Sequence, residues 1–229
     1  MESQSRPGLL RKLDVTVDEP PERFSFLAGV AIASQVILFA TAWFLPVVSE
    51  FSLTADNISE LVLGRYGFMQ TSAFLLAGLG TVGLAFSIRS LTAGAGGSSI
   101  GSLLIGIYGA GALLVALFPT DRIDTQADVW AQSTIGTIHV ITALVSFLCA
   151  VIGMFVLTRT FSRHPQWRSL TPWSVLFPTV ALALILVQQQ GPLVGLLQRL
   201  LVGVISAWLI LAAFRVRSIV ATGQSRTST

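Results

Sequence analysis

Hydrophobic positions in this chain do not alternate with polar ones. They come in six long runs, at about 25–47, 67–88, 98–118, 133–157, 173–190 and 193–214. A helix needs about 20 predominantly apolar residues to cross a bilayer, and the runs have roughly that length. The pattern predicts an all-α fold: a polytopic integral membrane protein built as a six-transmembrane-helix bundle. Pro178 falls inside the fifth run and predicts a kink there, and Gly191-Pro192 breaks the chain before the sixth. Residues 1–24, polar and carrying Pro7, Pro20 and Pro21, are expected to be disordered, as is the polar tail 218–229. Residues 25–217 then form one membrane domain. No internal repeat stands out, which gives no support to a transporter of inverted halves.

Composition agrees with this reading. Hydrophobic residues make up 53% of the chain and charged residues 11%, against about 25% charged in a soluble domain. The mean hydropathy of +0.77 excludes an ordinary soluble fold. The first run exceeds the length of a cleavable signal's apolar core and lacks a small-residue cleavage site, so a retained anchor is expected. The only cysteine, Cys149, lies inside a run, so no intrachain disulfide and no multi-cysteine metal site can form.

Charge sets the topology. Arg6, Arg11, Lys12, Arg23, Arg89, Arg159, Arg163, Arg168, Arg215, Arg217 and Arg226 fall on one side of the six runs, and only Arg65 and Arg122 on the other. Positive loops stay inside, which predicts a multi-pass cell-membrane protein with cytoplasmic N- and C-termini. Basic residues spread over several loops are no nucleic-acid patch, despite a pI near 9.8. Lys12 is the only lysine, a bias that fits a GC-rich bacterial genome. Glu50, Asp56, Glu60, Asp121, Asp124 and Asp128 all fall in the two larger outer loops. Acidic residues do not set orientation, so either ordinary solvation or attraction to a buried cation accounts for them.

The ionisable residues inside the runs carry the candidate chemistry. A charge at the bilayer centre costs about 2.5–3.5 kcal/mol on insertion scales, so such residues usually mark function. Gln132, Gly136, His139, Ala143, Ser146, Ala150 and Gly153 recur at three- and four-residue steps, as do Gly191, Gly195, Arg199, Gly203 and Ser206. Small and polar residues on one face suit the interior of a membrane bundle. His139 lies about 9 Å below Ser133, and Arg199 about 10 Å below Pro192, so both are expected inward at similar depth. Arg199 needs an anionic partner, for which Glu60 and Asp121 are the nearest candidates by topology, with a lipid phosphate or a substrate carboxylate as others.

Ordinary structural roles fit the same residues. Asn57 with Glu60 three residues on reads as a capping box at the start of the second helix. Asp121, after Pro119, suits a turn or cap. His139 could bond a neighbouring helix in its neutral form, and Arg199 could be a structural ion-pair partner or snorkel outward. Gln188, Gln189 and Gln190 read as an interfacial cap, Ser34 and Gln35 as interhelical hydrogen-bonding groups, and Asn57-Ile58-Ser59 as a chance glycosylation sequon.

Ile58-Ser59-Glu60-Leu61, Phe118-Pro119-Thr120-Asp121, Gly136-x-x-His139 and Arg199 together resemble the bacterial and archaeal six-span membrane family called domain of unknown function 998. The resemblance covers about residues 25–215. It implies the six-span fold and no established activity.

Three functions fit these observations. In the first, the protein binds a lipid headgroup or small anion in an outward-facing polar pocket of Arg199, His139, Glu60 and Asp121, serving sensing, transport or envelope homeostasis. In the second, it is an intramembrane lipid hydrolase or transferase. His139 is then the general acid or base, Glu60 or Asp121 its orienting carboxylate, Arg199 the oxyanion clamp and Ser59 a candidate nucleophile. In the third, it is a structural subunit of a membrane complex whose polar cluster fixes helix packing. Membrane lipids are the expected partners. No cofactor, metal or nucleic acid is expected, since a lone intramembrane histidine cannot supply a bis-histidine haem site or a histidine-rich metal site.

Overall fold

The computed structural model describes residues 21–93, 99–123, 128, 131–187 and 191–227. Among these there is no strand. The helices are α1 (Pro21–Phe44), α2 (Gly67–Thr92), α3 (Ser99–Leu117), α4 (Thr134–Arg163), α5 (Trp173–Val187) and α6 (Val194–Thr227). Short 3₁₀ turns at Leu45–Val48, Ile58–Leu63 and Arg168–Leu170 join them. All six runs give segments long and apolar enough to cross a membrane. Residues 1–20 (expected to be disordered), the proposed glutamine cap at 188–190 and the tail end at 228–229 lie outside the described residues, whereas residues 21–24, also expected to be disordered, form the first turn of α1.

Each helix packs on the next in sequence, and α6 returns to α1, so the six form a closed ring. The ring is inside-out relative to a soluble protein. Phe26, Phe68, Leu79 and Leu186 are exposed on its outer surface, while Gln35, Gln70, Thr81, His139, Arg199 and Ser206 are buried. Lipid is the solvent that accepts such an exterior. Without a hydrophobic drive between helices, close packing and hydrogen bonds hold the ring together. Gly78 of α2 faces Gly109 of α3, and Gly101 of α3 faces Gly153 of α4. In each pair an added Cβ would press on the other residue's carbonyl.

Polar groups cross-link the helices. Gln35 of α1 donates to Thr81 of α2 at 3.1 Å and accepts from Ser206 of α6 at 2.8 Å. This matches the interhelical role expected of Gln35. Ser34 instead bonds within its own helix, to the carbonyl of Ala31, and packs against Gly80 of α2, where a side chain would collide with its hydroxyl. Pro178 lies inside α5, where its missing N–H frees the carbonyl one turn earlier, that of Ser174. Thr158 of α4 donates to that carbonyl at 2.8 Å, and Trp208 of α6 donates to the Ser174 hydroxyl at 2.9 Å. Ser174 thereby ties α5 to both α4 and α6, the first bond through the carbonyl that Pro178 frees.

The arginine-rich end is closed by stacked rings: Phe161 on Trp167 at 4.8 Å, and Phe161 near Trp208 at 6.4 Å. At this end the structure departs from expectation. The last helix does not stop at Phe214 but continues to Thr227, so residues 218–227 are helical rather than disordered. Val216, Ile219 and Val220 recur at helical spacing and pack into the same core as Phe24 and Ala28 of α1, which carries the helix onward.

Candidate functional site

The opposite end holds most of the acidic residues, and there the loop after α1 folds over the start of α6. The N–H of Leu196 donates to the carbonyl of Thr54, and the N–H of Ile58 to the side-chain carbonyl of Gln198 at 2.6 Å. Gly195 permits this approach, since a Cβ there would run into the carbonyl of Asp56.

Arg199 sits just below and is 1% exposed. Its Nε donates to the carbonyl of Ala42 at 2.9 Å, and Nη1 donates to those of Asp56 at 2.7 Å and Gly195 at 3.0 Å. Nη2 is buried with no hydrogen-bond partner among the described residues. No ion pair of bonding length joins Arg199 to a described carboxylate, which corrects the expectation of Glu60 or Asp121 as its contacting counter-ion. The charges of Asp56 and Glu60 act on it from farther off, so Glu60 is a distant electrostatic partner rather than a contact, and Asp121 is engaged by Ser133 instead. The physical reason is local. Main-chain carbonyls at the end of α1 and in the folded-over loop reach the guanidinium first, and several such dipoles can satisfy its fixed fork of donors. The side chain of Asp56 turns back to the N–H of Ser52 within its own loop.

Glu60 is buried too. Its Oε1 accepts from the Asn57 N–H at 3.1 Å and from the Asn57 side-chain amide at 2.9 Å. The capping box foreseen in the sequence is present, but it opens the separate 3₁₀ turn Ile58–Leu63 rather than α2 itself. Oε2 is buried with no hydrogen bond of full geometry among the described residues, and the Ile123 N–H approaches the carboxylate closely enough to favour its charged form. Burial pushes the Glu60 carboxyl above the ordinary carboxylate range. The Asn57 hydrogen bonds oppose that shift, and the charge of nearby Asp56 adds to it.

Asp121 has a capping task. Its Oδ2 accepts from the Ser133 N–H at 2.6 Å and its Oδ1 from the Ser133 hydroxyl at 2.9 Å. Ser133 is the N-cap of α4 and accepts from the Gly136 N–H at 3.0 Å. Gly136 must lack a side chain, because a Cβ would collide with the Asp121 carboxylate. One turn further on, His139 Nδ1 meets the carbonyl of Phe118 at 2.7 Å. A carbonyl only accepts, so Nδ1 carries the proton and the ring donates. The Phe118–Asp121 turn is thus stapled to α4 at two points. His139 is oriented by a carbonyl rather than by Glu60 or Asp121, a second correction to the sequence expectation.

Beside these staples lies a cavity of about 240 Å³. Asn57, Ser59, Thr120, Gln132, His139 and Gln198 give it a polar part, and Val140, Ala143, Leu144, Phe147, Ile185 and Leu201 much of its apolar part. Val140 and Leu144 are also exposed on the lipid-facing side of α4, 41% and 50% respectively. Of the residues singled out in the sequence, His139 and Ser59 line the cavity, whereas Arg199, Glu60 and Asp121 stand around it. No charged side chain lines it among the described residues. No hydrogen bond joins Ser59 to His139.

Gln198 was missed in the sequence. It lies three residues after Gly195 and seven after Gly191, at the edge of the small-residue face, but an uncharged glutamine beside a buried arginine gave no separate signal. With its carbonyl oxygen held by Ile58, its amide N–H groups remain as donors.

These features define a class: an all-helical protein with six helices long and apolar enough to span a membrane, and a polar cluster at one end of the bundle. Residues 27–215 match the family model described as protein of unknown function DUF998, and the chain belongs to that family, as its four motifs indicated. No curated protein and no solved structure matches it.

Proposed function

We propose that the protein is a non-enzymatic, multi-pass cell-membrane protein that binds the polar headgroup of a membrane amphiphile in the cavity between α4, α5 and α6. It would serve lipid sensing, transport or envelope homeostasis. Both termini are cytoplasmic in this proposal, because the arginine-rich end carries both of them. The cavity then opens toward the outer leaflet. The observation that carries the proposal is the cavity's two-part lining, with neutral hydrogen-bonding groups at one part and apolar groups at the other, beside a lipid-facing wall. Small-molecule sites combine apolar walls with a few placed polar groups in this way.

The lining favours an uncharged headgroup. Arg199, the cation expected to hold an anion, is engaged by three carbonyls and does not line the cavity. The hydrolase alternative has less support. Among the described residues Ser59 has no bonded base, and His139 has no orienting carboxylate.

The test is binding in lipid nanodiscs. An uncharged monoacylglycerol is expected to bind wild type and to lose affinity for Gln198→Leu by about tenfold, the scale of one or two lost hydrogen bonds. An equal loss is not expected for an anionic lysophospholipid. Stronger binding of the anionic lipid, or hydrolysis of either lipid, would overturn the proposal.

A further inference from the structure

A second cavity, of about 60 Å³, lies deeper in the bundle. Leu38, Phe74, Ala77, Ala112, Val115 and Val202 give it an apolar wall. Of its polar neighbours, Gln35 and Thr81 bond to each other, Gln35 also to Ser206, and Ser146 to the carbonyl of Thr142, which leaves the Tyr108 hydroxyl as the main anchor a water would find. Water therefore finds little to hold it there, since a buried water typically bonds several polar groups. The two cavities share two lining residues, Ala143 and Phe147. Ala143 contributes only a methyl group. Phe147 is half-buried and its ring leans on Tyr108, at 6.2 Å between centroids. Tyr108 itself lines the inner cavity. A change of Phe147 rotamer would join the outer space to the inner one.

We propose that the inner cavity receives the end of a single hydrocarbon chain whose headgroup occupies the outer cavity. The site thereby selects a slim, single-chain amphiphile with a small uncharged polar head. The proposal rests on the headgroup reading above and adds the tail's location and class. Three observations carry it. The polar groups of the outer cavity lie next to an apolar part that leads toward Phe147. The inner wall offers contacts suited to methylene groups. The inner volume is under half the roughly 150 Å³ that admits a benzene ring in an engineered cavity, which leaves room for a chain end and not for a ring. Val140 and Leu144, exposed to lipid and lining the outer cavity, provide the lateral entry.

The experiment uses the full chain in nanodiscs with a palmitoyl monoglyceride carrying a diazirine at the end of its chain. Photolabelling is expected on Phe74, Ala112 and Val115. Ala112→Leu fills the inner cavity and should reduce that labelling by about tenfold, the worth of about two buried methylenes. Binding of an octanoyl monoglyceride, too short to reach past Phe147, should stay unchanged. Labels confined to Val140 and Leu144 would overturn the inner site and leave the headgroup reading standing. Labels found only on outward residues such as Ile141 and Leu148 would overturn both.

Discussion

Arg199 donates to carbonyls from α1, from the following loop and from its own helix, so its removal tests packing before it tests ligand binding. Arg199→Met leaves the carbonyls of Ala42 and Asp56 without donors in a buried site. At about 1–3 kcal/mol for each unmet group, a loss of about 2–6 kcal/mol is expected, read as a lower melting temperature in detergent. A variant as stable as wild type would contradict the rivet role. Glu60 makes a different prediction, one of pH. Its folded-state pKa is raised above the ordinary 4.5, so the fold favours the protonated form. The stability it contributes is present at acid pH and lost as pH rises through the raised folded value. Wild type should therefore gain stability on acidification from neutral pH toward about 4.5, while Glu60→Gln, which keeps an acceptor for Asn57, should gain less. Parallel melting curves for the two proteins across that range would refute the shift.

Among the elements, α5 depends on its neighbours for a bond that Pro178 denies it. Thr158→Val should cost about 1–2 kcal/mol, because the Ser174 carbonyl then has no donor from α4. In a Pro178→Ala background the helix can supply its own N–H to that carbonyl, and the same substitution should cost much less. A double-mutant cycle on thermal stability measures this coupling; additive losses would mean that Thr158 acts otherwise. The start of α4 is similarly built from outside itself. Asp121→Ala leaves the Ser133 cap itself but removes the carboxylate that holds it, and about 1–2 kcal/mol should be lost in thermal melts, the scale of hydrogen bonds to a charged group.

Element positions were largely legible in the sequence, because apolar length and the proline and glycine breaks decide them locally. The end of α6 was not, since only contact with Phe24 and Ala28 reveals what Val216, Ile219 and Val220 cover. Helical phase correctly turned His139 and Arg199 inward. It could not show what they would meet there. Main-chain carbonyls have no residue signature, so the partners of Arg199 and the orienting group of His139 were invisible. Gln198 escaped for a related reason: its role depends on the N–H of Ile58, far away in sequence.

At the scale of the whole molecule, the closed ring sets residues 45–66 and the described residues of 118–133 at one end and residues 164–172 at the other. Reporter fusions at Asp56 and at Arg168 should therefore report opposite sides of the membrane, with Arg168 cytoplasmic. Matching reports from the two would break the topology. The four segments that carry the family resemblance gather at the other end from Arg168, where they fix the turns and helix starts that frame the cavity. The central claim is that this cavity, rather than the buried arginine, is where a ligand sits. Native mass spectrometry of protein released from nanodiscs tests it most directly, comparing wild type with Ala143→Trp, whose side chain would block the space shared by both cavities. The account predicts one retained single-chain amphiphile on wild type and none on the variant. Identical lipid adducts on two equally folded proteins would contradict it.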